Sequence, residues 1–311
     1  MINKTSSRNV RRFFRINMPL RFFITPSSPI KDREILASGA NYFPTPIRNQ
    51  LTQQKFELVN SLNRIQDSRE ALIEIFGEII EHIEFFGQCC EDLAKGINPR
   101  FNTTYWYTIS SHLQGLSKIK LLENSSPKTY SYLKIIEEKY LFFLNSLVDV
   151  LSNSTPNHFA ARHPIPFGFK LDELVDRFAD EKYARIPLVK SIVSAAHYIN
   201  TYTEIFRQMH DDHSQRQHPE NWPLQMANVS ASGLAVMIRK GLKLHEHLDV
   251  LLYFPQDQRV LKFDGVVVNI QSDNEEYVER VAMNFEFPEG RDQLYLLSEI
   301  QKYEIEECFD L

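Results

Sequence analysis

The chain has 311 residues, of which 43% are hydrophobic, and its formal net charge is −5. A chain of this length buries one large core or two ordinary ones. Its slightly acidic balance argues against a protein that coats nucleic acid over its whole surface. Three cysteines are too few for a disulfide framework. The sequence contains no run of 18 apolar residues, so a membrane span is not predicted. We therefore expect a cytoplasmic protein without a membrane-spanning segment.

Charge is distributed unevenly along the chain. The first 25 residues contain six basic side chains and no acidic one, whereas residues 271–311 contain twelve acidic and three basic residues. The basic side chains of this first segment are Lys4, Arg8, Arg11, Arg12, Arg15 and Arg21. Such a segment has three interpretations: a targeting peptide, a nucleic-acid-binding arm, or one half of a binding site whose other half lies elsewhere.

The basic segment also contains the pattern of a β-strand. Over residues 16–24, apolar side chains occupy every second position. These side chains are Ile16, Met18, Leu20, Phe22 and Ile24. A period of two predicts a strand rather than a targeting helix. Because Pro19 has no N–H to donate, we expect this strand to lie at a sheet edge or at the rim of a barrel.

From about residue 46 the apolar positions follow a helical spacing. Between Leu58 and Leu93 they recur at alternating steps of four and three, which predicts one long helix. Other apolar residues outside this heptad pattern, such as Ile80 and Phe85, would remain exposed in a two-stranded coiled coil. A bundle, or a helix packed against several neighbours, is therefore favoured, with a coiled coil as the alternative.

Two further helices, at residues 133–150 and 188–209, follow the same spacing, the second with Pro187 in its first turn. A shorter helix is expected at residues 105–122. The aromatic run YWYT, at the start of the 105–122 segment, is expected in the core of the bundle. Cys89 and Cys90 are expected to be apolar thiols on a helix face rather than redox or metal-binding groups.

After residue 220 the period returns to two. Five short strand candidates separated by turns predict a small β-barrel, and an amphipathic helix closes the chain. The strand candidates are residues 234–238, 248–254, 260–263, 265–270 and 277–287. The apolar side of the closing helix is expected to contain Leu294, Leu297, Ile300 and Tyr303. The strand at 16–24 has no partner nearby in sequence, so we expect it to join this barrel.

The predicted fold class is therefore α+β: a small β-barrel interrupted by a long all-α insertion, either a helical bundle or a coiled coil. Residues 1–42 are expected to hold the basic segment, the first strand and a connector. Residues 43–211 form the helical insertion, and residues 212–311 form the remainder of the barrel with its closing helix.

Two short motifs flank the predicted barrel strands. The stretch NVSASG (Asn228, Ser230, Gly233) leads into a strand, and RRFFR (Arg11, Arg15) precedes the first strand. They resemble the [D/N]-x-S-x-x-G and R-x-x-x-R signatures of the PilZ domain family, in the same order. PilZ domains are small β-barrels that bind the bacterial second messenger cyclic di-GMP. The resemblance therefore implies a cyclic di-GMP receptor.

The resemblance covers about residues 8–26 and 222–305 and leaves out the helical block. It departs from the usual PilZ pattern in one respect, because 212 residues lie between Arg15 and Asn228. In the family, some tens of residues generally separate the two motifs. The departure raises the question of whether both motifs share one barrel.

The resemblance implies a ligand site whose residues suit a guanine nucleotide. The candidate residues are Arg11, Arg12, Arg15, Asn228, Ser230 and Gly233. A guanidinium fork matches the O6 and N7 acceptors of guanine and also pairs with phosphate, the role we assign to Arg12. The Asn228 amide offers donors and an acceptor, the Ser230 hydroxyl adds one hydrogen bond, and Gly233 permits a close backbone approach or a positive φ. We expect the charged arginine loop to be mobile until the ligand neutralises and docks it.

No other motif in the sequence indicates a binding or catalytic site. The stretch HDDHSQRQH contains His210 and His213 but no tight metal-ligand set, and it is expected to be a solvated helix end. No phosphate-binding loop, dinucleotide-binding glycine motif, nucleophile elbow or metalloprotease motif occurs. We therefore predict no enzyme activity, no metal and no cofactor.

The favoured function is a cytoplasmic bacterial receptor for cyclic di-GMP. We expect it to signal through the helical block to a protein partner or to a second copy of the chain, and not to nucleic acid. The alternative is a helical interaction scaffold whose PilZ-like barrel does not bind nucleotide.

Overall fold

The computed structural model shows a helical block and a β-barrel that is assembled from two separated parts of the sequence. The structure describes residues 14–27, 30–66, 69–161, 164–180, 182–183, 185–214, 218–273, 278–286 and 290–309. Within those residues the helical block lies between the first and second strands of the barrel, which confirms the α+β class and the insertion. None of the described helices combines the length and the apolar character needed to cross a bilayer.

Six described strands form a closed antiparallel barrel. They are β1 (Ile16–Pro26), β2 (Leu224–Ser230), β3 (Gly233–Ile238), β4 (His247–Phe254), β5 (Arg259–Asp273) and β6 (Val278–Glu286). Their order around the barrel is β1-β2-β3-β6-β5-β4. Apolar side chains that alternate along these strands fill the interior with a core of its own, separate from that of the helices.

β1 joins the barrel, as the period-two pattern predicts. Residues 16–21 pair with β2 and residues 21–26 pair with β4, so β1 closes the barrel between them. Its inward side chains belong to the barrel core: Met18, Leu20, Phe22 and Ile24. Pro19 lies in the half of β1 that has no register partner on β4, which agrees with the predicted position at a barrel rim.

Two details of the barrel differ from the sequence prediction. Residues 260–263 and 265–270 are not separate strands, because both belong to β5, whose register shifts between Val267 and Asn269. β2 is missing from the prediction. Its first three residues are all exposed although two of them are apolar, so the strand shows no clear alternation.

The closing helix, α7 (Gly290–Phe309), contacts β1 and β2 through a face that only partly coincides with the predicted one. Leu294 is exposed, whereas Leu296 and Ile300 are buried against the barrel core and Tyr303 packs beside them. The prediction is confirmed for Ile300 and Tyr303 and wrong for Leu294, because uniform steps of three drift around a helix that has 3.6 residues per turn.

The described helices of the block share one hydrophobic core. They are α1 (Thr45–Leu62), α2 (Arg69–Ala94), α3 (Tyr105–His112), α4 (Pro127–Asn153), α5 (Lys170–Phe178) and α6 (Pro187–Ser214). The helices predicted at 133–150 and 188–209 are confirmed as α4 and α6. A core that all six helices share is typical of a bundle rather than of a two-stranded coiled coil.

The single long helix predicted between Leu58 and Leu93 is wrong. The chain turns after α1, so the segment divides into α1 and α2. The apolar spacing does not reveal the break, because Leu62 at the end of α1 and Ile65 in the turn are both buried in the same core. Burial of a turn can therefore imitate a continuous helical pattern.

The helix predicted at 105–122 is shorter than expected. α3 ends at His112, Gly115 has a φ of 78°, and a 3₁₀ turn follows at Lys118–Leu122. The aromatic run is only partly in the core. Tyr105 is buried, but Trp106 is 54% exposed and Tyr107 is 84% exposed, so the prediction is wrong for these two residues.

A pair of stacked histidines lies inside the helical block. The rings of His82 on α2 and His112 on α3 are almost parallel, with centroids 3.8 Å apart. The Tyr140 hydroxyl lies 2.8 Å from Nδ1 of His112, and the Glu78 carbonyl oxygen lies 2.8 Å from Nδ1 of His82. Burial lowers the pKa of both imidazoles, to about 4 for His112, where the neighbouring His82 lowers it further. Both rings are therefore neutral at pH 7.

The barrel and the helical block meet at a buried cluster that we call the junction: Phe23, Tyr42, Asp212, Trp222 and Lys240. Lys240, which follows β3, pairs with Asp212 of α6 at 2.8 Å, and the Tyr42 hydroxyl donates to the same carboxylate at 2.6 Å. Phe23 stacks on Trp222, and its ring centroid lies 5.2 Å from the Lys240 ammonium. Burial and the charge of Asp212 raise the pKa of Tyr42, so its hydroxyl keeps its proton.

The end of α6 is therefore not the solvated helix end that the sequence predicts. His210 is buried, Asp212 belongs to the junction, and the His213 ring stacks on Phe159 with centroids 4.1 Å apart. Among the described residues, no group of three or more His, Cys, Asp or Glu side chains is arranged to hold a metal ion.

The junction should make a measurable contribution to stability. We expect Asp212→Asn to lower the free energy of unfolding by about 2–4 kcal/mol, because Lys240 would keep its charge in a buried position without a carboxylate. Urea unfolding followed by tryptophan fluorescence would measure the loss. As a control, Asp292→Asn breaks an exposed pair with Arg259 at 2.9 Å and should cost less than about 1 kcal/mol. Equal losses in the two variants would contradict a buried pair at the junction.

The stacked histidines should make stability depend on pH. Their pKa values are lower in the folded protein than the ordinary value of 6.5, so unfolding becomes easier as protons bind the unfolded chain below that pH. We expect the free energy of unfolding to fall between pH 6.5 and about 4, and His112→Gln to flatten this fall. His218→Gln, at an exposed position outside the stacked pair, is the control variant. Parallel pH profiles for wild type and His112→Gln would rule out the assignment.

Candidate functional site

Three strand ends bring together the described residues of both motifs. Arg15 precedes β1, Asn228 lies near the end of β2, and Gly233 begins β3. β1 pairs with β2, and β2 pairs with β3, so these positions are neighbours despite the 212 residues between Arg15 and Asn228. In this structure the two motifs therefore meet on one barrel of one chain.

Arg15 reaches from the start of β1 onto β2. Its Nη1 donates to Oδ1 of Asn228 at 3.4 Å, and Nδ2 of Asn228 donates to Oδ1 of Asn17 at 2.8 Å. Asn17 and Asn228 face each other directly in the strand register. The contact made by Arg15 is longer than an ordinary N–H···O hydrogen bond of about 2.7–3.2 Å. It is therefore weak and easily exchanged for a contact with another acceptor.

Gly233 allows two groups to approach the backbone closely. A Cβ at this position would lie 2.4 Å from the carbonyl oxygen of Met283 on β6 and 3.3 Å from Nη2 of Arg15. The φ of Gly233 is not positive. Of the two reasons that the sequence suggests for this glycine, the close approach is therefore the one that applies.

The turn between β2 and β3 is held by several hydrogen bonds. Ser230 is buried, and its hydroxyl lies 3.4 Å from both the Gly233 carbonyl oxygen and the Ser232 backbone nitrogen. The Phe285 N–H of β6 donates to the Ser232 carbonyl at 2.9 Å, and Gln293 of α7 donates to another carbonyl of the turn at 3.2 Å. The Ser230 hydroxyl thus faces the turn and supports its shape. A direct contact of Ser230 with a ligand remains a prediction.

Arg11 and Arg12 lie outside the described residues, as does most of the predicted mobile arginine loop. Their contacts with a ligand also remain predictions. Arg15 is the part of the R-x-x-x-R motif that the structure describes.

A shallow pocket beside Asn228 contains residues that the motifs do not indicate. Its volume is about 580 Å³, and its walls include Asn17, Met226, Met237 and Arg280. Arg280 on β6 stands opposite Met237 in the strand register and supplies a second cation on this side of the barrel. The alternation of β6 could have indicated it, because Arg280 stands between two positions that point into the barrel.

The vicinal cysteines are buried in α2, as expected for apolar thiols. Burial raises the pKa of Cys89 to about 12 and that of Cys90 well above its ordinary value. Both thiols are therefore protonated at neutral pH and do not act as nucleophiles.

The comparison with protein families identifies the barrel. A model of the PilZ domain matches residues 208–302, which span β2 to β6 and part of α7 but include neither β1 nor the basic segment. The structure supplies the missing strand, because β1 closes the same barrel from the other side of the helical block. The barrel is thus a PilZ domain with a large helical insertion after its first strand. Comparisons with curated proteins and with solved structures give no match.

The close approach of the Met283 carbonyl to Gly233 should make the free energy of unfolding sensitive to a side chain at this position. We expect Gly233→Ala to lower the free energy of unfolding by about 1–3 kcal/mol, because the new methyl group would push against the Met283 carbonyl. Gly77→Ala on α2 is the matched control. No atom lies within 4 Å of its added Cβ, so it should stabilise the helix by about 0.5–1 kcal/mol. Chemical denaturation measures both, and a neutral Gly233→Ala would contradict the packing described for this turn.

Proposed function

We propose that this chain is a bacterial receptor for cyclic di-GMP whose binding site combines the arginine segment with the β2–β3 turn. PilZ domains are a family of receptors for this messenger, and they generally bind rather than catalyse. The observation that carries the proposal is the contact between Arg15 Nη1 and Asn228 Oδ1, because it joins the two motifs at one place.

The described side chains of the site suit a guanine nucleotide. The guanidinium fork of Arg15 can donate two hydrogen bonds to O6 and N7 of a guanine, which contribute about 1–3 kcal/mol per good pair. The amide of Asn228 can donate to and accept from a second edge of the base. Arg280, in the adjoining pocket, is placed to pair with a phosphate, and we assign Arg11 and Arg12 to the same ligand.

Binding would exchange contacts within the protein for contacts with the ligand. Because the Arg15 to Asn228 distance is 3.4 Å, little interaction energy is lost when this one contact gives way to contacts with the nucleotide. The two phosphates of cyclic di-GMP would neutralise the positive charge of the basic segment and hold it against the barrel. The hydrogen-bonded β2–β3 turn offers a preformed surface for this docking.

The strands of the site provide a route to the helical block. β3 begins at Gly233 and ends two residues before Lys240, which pairs with Asp212 on α6. β1 and β2 likewise have one end at the site and the other end beside the junction. A six-residue strand spans about 20 Å. A ligand-induced shift at the turn would therefore be transmitted over this distance to α6.

We place the receptor in the bacterial cytoplasm, with the helical block conveying the signal to a protein partner or to a second copy of the chain. Two observations support this role. The block and the barrel have separate hydrophobic cores, so one can move relative to the other without disrupting its own packing. The contacts between them include the polar pair of the junction, whose geometry a small displacement would change.

Calorimetric titration of the full-length protein with cyclic di-GMP tests the proposal. We expect the wild type to bind and Arg15→Ala to bind at least about tenfold more weakly, which corresponds to about 1.4 kcal/mol. Arg15→Lys should also weaken binding, because an ammonium cannot make the forked contact. Arg48→Ala on α1 is the charge-matched control, since this arginine forms an exposed pair with Glu91, and it should bind like the wild type.

Two outcomes would contradict the proposal. If the wild type does not bind cyclic di-GMP, the helical scaffold with a nucleotide-free PilZ barrel becomes the better interpretation. If Arg15→Ala binds as tightly as Arg48→Ala, the ligand site lies elsewhere on the protein.

A further inference from the structure

A cavity between the helical block and the barrel contains charged groups that the proposed receptor site does not use. Its volume is about 340 Å³, and its walls come from α1, α4, α5, α6, the segment before α5 and a residue just after β3. Most of the lining side chains are polar. The charged ones are Lys139, Asp172, Glu204, Arg207 and Arg239.

Lys139 is a charged residue in a buried position of the cavity wall. It is 5% exposed, and its Nζ donates to Oδ1 of Asp172 at 3.1 Å and to Oδ1 of Asn200 at 2.8 Å. The Phe169 ring centroid lies 4.8 Å from the ammonium. Burial lowers the pKa of Lys139, and the charge of Asp172 opposes that shift. The ammonium is thus held in a position where solvation by water is largely lost.

Arg207 is the second buried cation of this wall. It is 8% exposed, its Nη2 donates to the Pro166 carbonyl at 2.9 Å, and its guanidinium lies 4.3 Å from the Phe167 ring centroid. Its Nε is buried, and within the part of the chain that the structure describes it has no hydrogen-bond acceptor. A carboxylate oxygen of Glu204 lies 3.8 Å from this nitrogen, which is too far for a hydrogen bond.

Asp172 and Glu204, the two carboxylates of the wall, only partly neutralise the charge of these cations. The side chains of Asp172 and Glu204 are 44% and 50% exposed, whereas both cations are buried. Asp172 is also shared with other donors. Its Oδ1 accepts from the Asn200 amide at 3.1 Å, and its Oδ2 accepts from the Phe169 N–H at 3.2 Å. The barrel side adds the exposed Arg239 as a third cation.

We infer that this cavity binds a small polar molecule through an oxyanion group, a phosphate or a carboxylate, which Lys139, Arg207 and Arg239 hold. An anionic group placed in the cavity would add charge compensation for the buried cations Lys139 and Arg207. The volume is within the range of small-molecule sites. Amide and hydroxyl groups, including Gln50 and Thr203, suit the polar remainder of such a molecule.

The site is separate from the cyclic di-GMP site that we propose. Arg239 directly follows the end of β3, whereas Gly233 is at the other end of that strand. Tyr42, a member of the junction, also lines the cavity. Because Arg239 belongs to the barrel while Lys139 and Arg207 belong to helices, a bound oxyanion would connect the two parts of the protein beside the junction.

The test measures the thermal unfolding midpoint of the full-length protein against increasing inorganic phosphate and, separately, succinate. Ionic strength is kept constant with chloride. We expect a saturable rise with at least one anion, because binding to the folded state stabilises it. Lys139→Met should abolish the saturable rise, and Arg239→Gln should weaken the apparent affinity by about tenfold. Lys55→Met, which removes a cation of an exposed pair on α1, should respond like the wild type.

The pattern of responses distinguishes a specific anion site from a general salt effect. If only phosphate or only succinate raises the unfolding midpoint in a saturable way, the result identifies the class of oxyanion that binds. If the midpoint rises without saturation and equally in all variants, the rise is a salt effect and overturns the inference. If Lys139→Met does not fold, Arg239→Gln serves as the test variant, because Arg239 is exposed and its replacement should not prevent folding. Arg15→Ala should keep the response. A response lost in Arg15→Ala would place the anion at the arginine segment and overturn the inference, whatever that segment does with cyclic di-GMP.

Discussion

The pairing of β1 with β2 and β4 is the constraint on which the rest of the structure depends. Without β1, both of its neighbours would have an open edge, and the barrel core would lose the inward side chains of one strand. The same pairing brings Arg15 beside Asn228. It also requires the two ends of the helical block to return to one place. They do so because α1 and α6 pack together and Asn41 bridges to Gly241 after β3.

The junction places buried polar groups where the two cores meet. The pair of Lys240 and Asp212 is largely removed from solvent, and the Tyr42 hydroxyl donates a further hydrogen bond to the same carboxylate. Buried polar contacts of this kind depend on geometry more strongly than apolar contacts do, because a small displacement breaks a hydrogen bond but only slides an apolar surface. The junction therefore allows few relative positions of the barrel and the helical block. Its hydrogen bonds change when the protein passes from one of these positions to another.

The sequence predicts the elements whose burial follows a simple period and misses contacts that depend on distant segments. β1, α4 and α6 each have one uniform apolar face, so alternation or heptad spacing identifies them. The break between α1 and α2 is hidden because the buried turn continues the apolar spacing. At the site, the motifs indicate Arg15, Asn228 and Gly233, but they do not indicate that the Ser230 hydroxyl faces the turn. The alternation of β6 indicates that Arg280 points outward, whereas its place opposite Met237 depends on strand register. The stacked histidines and the cavity cations likewise come from separate elements that no local pattern relates to each other.

The position of β1 also determines the order in which the protein can fold during synthesis. About 200 residues separate β1 from β2, which the ribosome needs about 10–40 s to add at 5–20 residues per second. During this interval β1 has no strand partner, whereas the helical block can complete its own core. The folded block then shortens the effective loop between β1 and β2, because α1 and α6 hold its two ends together. Folding of the insertion therefore lowers the entropy cost of bringing β1 together with the later strands of its barrel.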